Sequence, residues 1–323
     1  MPPKVSMREA YGKTLVELGA ENPDIVVLDS DLCRSTMTHS FAREFPGRFF
    51  DCGIAEQNMV GIAAGLAASG KIPFASTFAV FAPGRCFDQM RMSVSQPRLN
   101  VKLVTTHGGI SVGEDGPSHQ AIEDLALACS LPGFTVIVPA DAIETAQAVR
   151  VAAASRGPFL IRLCRATMPL VYDEHYRFTL GKAVTLREGK EATIIAIGIM
   201  VAAALEAAES LKQEGIDCRV LSMPTLKPVD EEAIVKAAAE TGAIVTAEEH
   251  LEHGGLGSRV AQVVARQLPV PVEFVAIKNT YAQSGKPAEL LQRYGLTAKD
   301  IAQAVKTVIK RKGGRAYTIS QSR

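Results

Sequence analysis

Short apolar runs alternate with longer alanine-rich segments along the whole chain. The short runs are rich in β-branched residues and are apolar at consecutive positions, which is typical of strands covered on both faces. Alternation of such strands with helices favours a mostly parallel sheet. The predicted strands are Ile25–Leu28, Ile72–Ser76, Val101–Thr105, Thr135–Val138, Phe159–Arg162, Thr193–Ile197, Cys218–Leu221, Ile244–Ala247 and Val272–Ala276.

Helices are predicted near 6–19, 55–69, 84–95, 121–130 and 142–155, and again between and after the later strands. The periodicity fades from about 166 to 190, where prolines, aromatic residues and charges are mixed. The pattern therefore predicts an α/β protein with two α/β domains, each built on a mostly parallel sheet. The predicted boundaries are a first domain over 1–170, a linker over 171–190, a second domain over 191–312 and a flexible tail over 313–323.

Composition and charge narrow the class of protein. The 323 residues carry a net charge of +1, which gives no sign of binding to nucleic acid or to an acidic membrane surface. Six cysteines form no C-x-x-C pair, so we expect reduced thiols in a cytoplasmic protein. We find no signal-peptide pattern at the N-terminus. The longest uncharged run, Ala192 to Leu205, is too short for a membrane helix.

Three groups of residues combine unusual chemistry with the ends of predicted elements. Glu56 lies in an otherwise small or apolar run before a predicted buried helix, where an acidic residue could simply serve as a helix-start carboxylate. Phe78 and Phe81 follow a predicted strand, where aromatic residues usually pack in the core. The loop from His107 to Gln120 has two histidines, two adjacent acids and four glycines. Ligands bind at strand ends in open α/β sheets, so this loop is a candidate site.

Weaker signals come from single polar residues at or near element ends. These are Arg8, Asp31, Ser35 and Arg165, each of which alone is better explained as a cap or a surface group. A glycine cluster in the stretch 248–258 predicts a helix start that either binds an anion or makes a helix cap and a domain contact.

Together these segments resemble the C-terminal half of transketolase, the thiamine-diphosphate enzyme that moves two-carbon units between sugars. The resemblance extends from about 6 to 310 and is carried by "DCGIAEQNMVGIAAGLA", "STFAVF" and "HGGISVGEDGPSHQAIED". The β chains of 2-oxoacid dehydrogenases share a segment like G-I-A-E-Q but lack the last of these loops. The family implies a pyrimidine-binding domain followed by a transketolase C-terminal domain.

The chain lacks the G-D-G…N motif with which the family places a metal on the cofactor's diphosphate. The resemblance therefore implies one subunit of a split transketolase. An N-terminal half, supplied by a partner subunit, would hold the diphosphate with Mg²⁺ or Ca²⁺, so this chain would contribute no metal ligand. A homodimer of this chain and a two-plus-two heterotetramer with the partner are expected.

The resemblance also assigns roles around the cofactor. Glu56 matches the glutamate that keeps N1′ of the aminopyrimidine protonated, which makes it a catalytic residue. Phe78 and Phe81 match the aromatic residues that pack around the aminopyrimidine, and Asp31 matches an acid that shapes the pocket. The family often has a third aromatic residue where this chain has Gly84. Part of that wall is thus missing, or Arg85 or Phe87 fills it.

Further matches concern the substrate. Arg8, Ser35, His107 and Arg165 match contacts to the phosphate end of a sugar phosphate, for which guanidinium groups are well suited. Asp115 matches the residue that recognises the C2 hydroxyl. His119 matches a histidine near the reacting hydroxyls that is suited to proton transfer.

The predicted function is thus the C-terminal subunit of a split transketolase, which transfers a ketol unit from a ketose phosphate, such as a pentose phosphate, to an aldose. Alternatives are a relative of 1-deoxyxylulose-phosphate synthase, a 2-oxoacid dehydrogenase β subunit, and a non-catalytic regulatory or scaffold subunit. A synthase would normally be one continuous chain, and the loop around His107 disfavours the dehydrogenase. The combination of Glu56 with His107, Asp115 and His119 disfavours the scaffold.

Overall fold

The computed structural model describes residues 4–313. The tail predicted over 313–323 lies outside the described residues, apart from Gly313 at the end of the last helix. The strands are β1 Lys4–Ser6, β2 Ile25–Asp29, β3 Phe49–Asp51, β4 Ile72–Phe78, β5 Lys102–Thr106, β6 Thr135–Ile137, β7 Phe159–Arg162, β8 Thr167–Pro169, β9 Val184–Arg187, β10 Ala192–Ala196, β11 Cys218–Ser222, β12 Thr225–Lys227, β13 Ile244–Leu251 and β14 Val272–Ile277.

Helices connect most of these strands. They are α1 Met7–Glu21, α2 Cys33–Thr36, α3 His39–Glu44, α4 Glu56–Ala68, α5 Ala82–Gln89, α6 Asp124–Ser130, α7 Ala142–Ala154, α8 Met200–Gln213, α9 Glu231–Thr241, α10 Leu256–Gln267, α11 Pro287–Arg293 and α12 Ala298–Gly313. Two short 3₁₀ helices span Pro46–Arg48 and Ile110–Val112, and α5 continues into a π-helix over Met90–Ser95. Within residues 4–313, no helix is both long and apolar enough to cross a membrane.

The first sheet has seven strands in the order β12-β6-β7-β5-β4-β2-β3, and all neighbours except β12 and β6 are parallel. Its central strands β2, β5 and β7 are buried along their whole length, which explains the consecutive apolar positions of β2 and β7. Helix α1 packs against it through Met7, Tyr11, Leu15 and Leu18, which recur on one helical face. The Ser6 hydroxyl caps this helix by accepting a hydrogen bond from the Glu9 amide at 3.2 Å.

The second sheet has five strands in the order β14-β13-β10-β11-β9, of which only β9 is antiparallel to its neighbour. Helices cover this sheet as well, so the prediction of an α/β protein with mostly parallel sheets is confirmed. Strand β9 lies within the range predicted as a linker, and pairs with β11. The predicted domain limits themselves stay a prediction.

Two further pairings involve short strands, and one of them joins the two halves of the chain. Strand β12 follows β11 in the chain but pairs with β6, so it adds an edge strand to the first sheet. A separate two-stranded ladder pairs β1 with β8, which brings the start of α1 close to the end of the first domain. These strands are three residues long, too short for the apolar periodicity on which the sequence prediction depended.

Candidate active site at the carboxyl edge of the first sheet

The residues predicted for the site follow neighbouring parallel strands. Asp31 comes after β2, Phe78 ends β4, His107 follows β5 and Arg165 follows β7. Because β2, β4, β5 and β7 are adjacent in the sheet, their carboxyl ends open on one edge. That edge is where open α/β sheets bind ligands.

Glu56 is the first residue of α4, and its side chain is 4% exposed. Its Oε1 accepts a hydrogen bond from Nη1 of Arg85 at 2.8 Å. Within residues 4–313, Oε2 has no hydrogen-bond partner, and no backbone amide of α4 donates to the carboxylate. The geometry of a capping carboxylate is therefore absent from the described part of the chain.

Arg85 occupies the space that the sequence left open beside Gly84. Its guanidinium carbon lies 3.9 Å from the centroid of the Phe81 ring while Nη1 holds Glu56. Phe87 instead packs against buried core residues. A cation–π contact thus stands where the family often has a third aromatic ring.

Four aromatic rings form a cluster at the same edge. The ring centroids of Phe78 and His107 are 3.8 Å apart and the rings are stacked; those of Phe78 and Phe81 are 5.8 Å apart. His119 approaches Phe81 edge-on at 5.4 Å. The predicted cofactor-binding rings and two predicted substrate-binding histidines are therefore one contiguous surface.

Backbone conformation marks two of these strand ends. Asp31 and His107 both have φ of 60°, a left-handed conformation that is uncommon for residues other than glycine and is concentrated at functional sites. Oδ1 of Asp51 accepts hydrogen bonds at 3.0 Å from the amides of both Asp31 and Gly53. Sequence analysis missed Asp51, which links the loop carrying Asp31 to the loop that leads into Glu56.

A second acid, Asp29, lies below this loop. Asp29 is fully buried and accepts hydrogen bonds from the Leu32 amide and from the hydroxyls of Thr36 and Thr38. Burial raises the pKa of Asp29 to about 6, against the opposing effect of these bonds. Its partners hold the turn after β2, from which Asp31 projects as an exposed residue.

The chemistry of His107 follows from its surroundings. Burial lowers the pKa of His107 to about 3, and the nearby charges of Arg8 and Arg165 and the His119 ring add to this effect. Nδ1 lies 2.8 Å from the hydroxyl of Thr106. A neutral ring that accepts this hydroxyl proton at Nδ1 carries its own proton at Nε2, where it can donate to a ligand.

We expect the His107 ring to remain neutral from pH 5 to pH 8, because protonation would place a third charge beside two arginines. Ring ¹⁵N and ¹³C shifts, assigned by comparison with His107→Gln, should therefore show no titration over this interval. A midpoint near 6.5, the ordinary histidine value, would contradict this description of the site.

The predicted phosphate contacts lie near one another but differ in their partners. Nη1 of Arg8 donates to the carbonyl oxygen of Ser35 at 2.8 Å, while its Nε is buried without a partner among residues 4–313. Nη1 of Arg165 donates to the Val112 carbonyl oxygen at 2.5 Å. Burial lowers the pKa of Arg8, and the charge of Arg165 adds to the effect. Two cations that repel each other are a natural setting for an anion.

Asp115 and His119 lie on the loop that crosses this region. One carboxylate oxygen of Asp115 is 3.8 Å from Nη1 of Arg165, and the side chain is 41% exposed. Nδ1 of His119 is 2.9 Å from the Ser118 hydroxyl. Within residues 4–313, no group of three His, Cys, Asp or Glu side chains is placed to hold a metal ion.

Comparison with known proteins agrees with this architecture. Residues 3–170 match the family "Transketolase, pyrimidine binding domain" and residues 181–301 match "Transketolase, C-terminal domain". A Methanocaldococcus jannaschii protein named for the C-terminal section of transketolase is 46% identical, over 94% of this chain and 96% of its own length. Transketolase of Homo sapiens is 42% identical over 95% of this chain, which spans about half (49%) of the human protein.

A solved structure described as a split gene transketolase, an inactive β4 tetramer, is 54% identical to this chain. It superposes with a TM-score of 0.90 over 95% of this chain and 99% of its own. The fold and the two family matches thus define an α/β protein with two domains. The chain belongs to the transketolase family and contains its pyrimidine-binding and C-terminal domains. The predicted resemblance is confirmed.

Proposed function

We propose that this chain is the C-terminal subunit of a two-chain transketolase, active only with a partner that supplies the N-terminal, diphosphate-binding half. The assembled enzyme would transfer a two-carbon ketol unit from a ketose phosphate to an aldose. The observation that carries the proposal is the environment of Glu56. A buried carboxylate stands at a helix start beside an aromatic wall, with Oε2 free to accept a hydrogen bond.

The residues present fit the aminopyrimidine of thiamine diphosphate. Phe78 and Phe81 would stack on the ring, and Glu56 would accept a hydrogen bond from its protonated N1′. When bound, the cofactor supplies the carbanion that attacks the substrate carbonyl. Glu56 would support that role because a carboxylate at N1′ keeps this ring nitrogen protonated. The exocyclic nitrogen at C4′ can then remove the proton from C2 of the cofactor.

In the resting chain, Arg85 holds the carboxylate that the pyrimidine would engage. Its side chain is 48% exposed, so it can turn toward solvent while keeping its charge hydrated. We propose that Arg85 moves away from Oε1 or shares Glu56 with the pyrimidine when the cofactor binds. The contact also neutralises a buried carboxylate in the free subunit.

The substrate would enter along the edge of the sheet from the Arg8 side. Arg8 and Arg165, with the donor Nε2 of His107 and the hydroxyl of Ser35, would bind its phosphate. Asp115 would accept a hydrogen bond from the C2 hydroxyl. His119, which contacts Phe81, would lie near the reacting hydroxyls and move or hold a proton there.

A partner surface is supported by α4 itself. This helix is almost wholly uncharged, yet Gly61, Ile62 and Gly65 are exposed, and Ile54 just before it is 77% exposed. Apolar side chains and glycines on the exposed face of an apolar helix are typical of a surface that is covered on assembly. Because Glu56 begins the same helix, a partner seated here would also close the cofactor site. Mg²⁺ or Ca²⁺ would belong to the partner, together with the diphosphate.

The free chain is proposed to self-associate. The solved relative is described as an inactive β4 tetramer, which supports both self-association and the need for another subunit. With the partner, we propose two copies of each chain. Relatives named as transketolases favour this function over a synthase or a dehydrogenase β chain.

Cofactor binding tests the proposal. The diphosphate and its metal carry most of the cofactor's charge, so the lone chain should bind thiamine diphosphate with Mg²⁺ at least about 100-fold more weakly than the mixture with the partner. Isothermal titration calorimetry on the lone chain, the partner and the mixture measures this. Micromolar binding by the lone chain would exclude a shared cofactor site, and equal weak binding by all three samples would favour the scaffold role.

A further inference from the structure

The loop from His107 to Gln120 is anchored by a residue of the second domain. Glu249, in β13, is fully buried against this loop. Its Oε1 accepts a hydrogen bond from the Ser111 amide at 2.5 Å, and its Oε2 accepts one from the Ser111 hydroxyl at 3.2 Å. Both carboxylate oxygens are therefore committed to one residue of the loop that carries the predicted substrate contacts.

The two glycines after His107 fit against buried side chains with no room to spare. A Cβ at Gly109, where φ is +80°, would stand 2.1 Å from the carboxyl carbon of Glu249. A Cβ at Gly108 would stand 2.2 Å from Nε of Arg162. The backbone after His107 thus packs directly on two side chains of opposite charge, one from each domain.

Arg162 holds Glu249 and the far end of the loop together. Its Nη2 donates to the carbonyl oxygens of Glu249 at 2.9 Å and Ala121 at 3.0 Å. Its Nε pairs with Oδ2 of Asp124 at 3.0 Å, and both side chains are buried. Oδ1 of Asp124 is buried without a hydrogen-bond partner within residues 4–313, so the network is satisfied only in part, and its hold on the loop comes from the bonds that Arg162 makes.

The outer part of the loop also contacts the second domain. Nε2 of Gln120 donates to the carbonyl oxygen of Gln283 at 3.1 Å, and Gly113 packs against Pro287. Glu249 differs from these contacts because it binds Ser111, near the middle of the loop. Ser111 is four residues after His107 and four residues before Asp115 in the sequence.

We propose that Glu249 is a positioning residue that fixes the substrate loop in register from the second domain. It would place His107 and Asp115 for the sugar phosphate without touching the substrate itself. Only the expected effect on catalysis rests on the proposed function. The anchoring of the loop stands on the contacts of Ser111 and Gly109 alone.

The chain offers a matched control in the neighbouring residue. Glu248 is also a fully buried carboxylate on β13, but successive side chains of a strand point to opposite faces. Its oxygens accept hydrogen bonds from the amides of Leu256 at 2.7 Å and Gly257 at 2.8 Å, at the start of α10. These bonds cap α10 within the second domain and occupy the amides that an external anion would use.

Glu249→Gln tests the proposal because an amide keeps the size of the carboxylate but offers one acceptor in place of two and carries no charge. Burial raises the pKa of Glu249 to about 7, so the test is made at pH 8, where the carboxyl is ionised. Amide hydrogen exchange on the full chain alone should then show residues 108–113 exchanging roughly 10- to 100-fold faster, the range for a lost hydrogen bond to a charged group. Glu248→Gln should leave these amides unchanged and accelerate those at the start of α10. Unchanged exchange over 108–113 in Glu249→Gln, or equal acceleration in both variants, would overturn the proposal.

The second readout uses the complex with the partner subunit. Glu249→Gln should raise KM for a ketose phosphate by about tenfold and change kcat by less than about threefold. The displaced loop carries the proposed substrate contacts, so substrate binding should weaken more than the chemical step at the cofactor. Glu248→Gln should leave KM unchanged, although its melting temperature falls comparably. Ser111→Ala should raise KM less, and should add little to Glu249→Gln. A rise in KM that is equal in the two glutamate variants would refute positioning by Glu249.

Failure of the proposed function is distinguishable from failure of this inference. A wild-type complex without transketolase activity would remove the proposed function, while the exchange experiment would still decide whether Glu249 fixes the loop. An active wild-type complex with unchanged KM in Glu249→Gln would remove the inference alone.

Discussion

Replacing Glu56 by glutamine should lower turnover of the assembled enzyme by roughly 10²- to 10⁴-fold, the usual range for a positioned acid–base group. The amide cannot hold the proton on N1′, so the cofactor loses the state in which it can be deprotonated. Assembly should change little, because within the described chain Glu56 is hydrogen-bonded through its side chain only to Arg85 and to no backbone amide of its own helix.

Exchange of the C2 hydrogen of bound thiamine for deuterium isolates this step from sugar binding. Exchange should slow in Glu56→Gln to the same extent as turnover. Asp88→Asn, which changes an exposed carboxylate on α5, provides the control and should exchange at the wild-type rate. Wild-type exchange in Glu56→Gln would show that the residue only begins a helix.

Replacing Arg165 by alanine should raise KM for a phosphorylated ketose by roughly 10- to 100-fold, since a charged hydrogen bond contributes about 1.5–3 kcal/mol. The charge of Arg165 adds to the effect of burial in lowering the pKa of both His107 and Arg8. Arg165 also lies 3.7 Å from a carboxylate oxygen of Glu114 and 3.8 Å from one of Asp115, and the sugar phosphate would add a bound anion between the two arginines. Hydroxypyruvate lacks the phosphate but delivers the same two-carbon unit, so its slow turnover should remain nearly unchanged.

Comparing the two ketol donors also separates a role in phosphate binding from a role in holding the loop. A structural role is open to Arg165 because its side chain donates a hydrogen bond to the Val112 carbonyl oxygen of the substrate loop. If KM rises equally for both ketol donors in Arg165→Ala, the residue is structural and its assignment to phosphate fails. If KM rises for neither ketol donor, the substrate is anchored elsewhere and the sugar-phosphate proposal must be withdrawn. Arg43→Ala, at a 76% exposed arginine, is the control and should affect neither donor.

The strands that build the two sheets could be predicted from sequence because they are buried along their length. Strands β2 and β7 are apolar at nearly every position for that reason. Strand β12 could not be predicted, since its three residues leave the second half of the chain to pair with β6. Pairing between distant segments leaves no periodic signal in either segment.

Site residues could be predicted where they lie in a sequence motif. They could not be predicted where a side chain comes from a segment that is distant in the sequence. The runs around Glu56, Phe78 and His107 could be matched to a family. Asp51 and Glu249 could not, because each works through backbone amides of other segments. Sequence analysis left open whether the wall beside Gly84 is missing or is filled by Arg85 or Phe87, and it did not predict the contact of Arg85 with Glu56.

The most direct test of the central claim is continuous variation of the two subunits. Total protein is held constant while the ratio of this chain to its diphosphate-binding partner is varied, with thiamine diphosphate and Mg²⁺ in excess. Consumption of hydroxypyruvate is followed with a panel of aldose phosphates as acceptors. We predict no turnover for either chain alone and a maximum at equal molar amounts. Turnover by this chain alone, or no turnover at any ratio, would contradict the account.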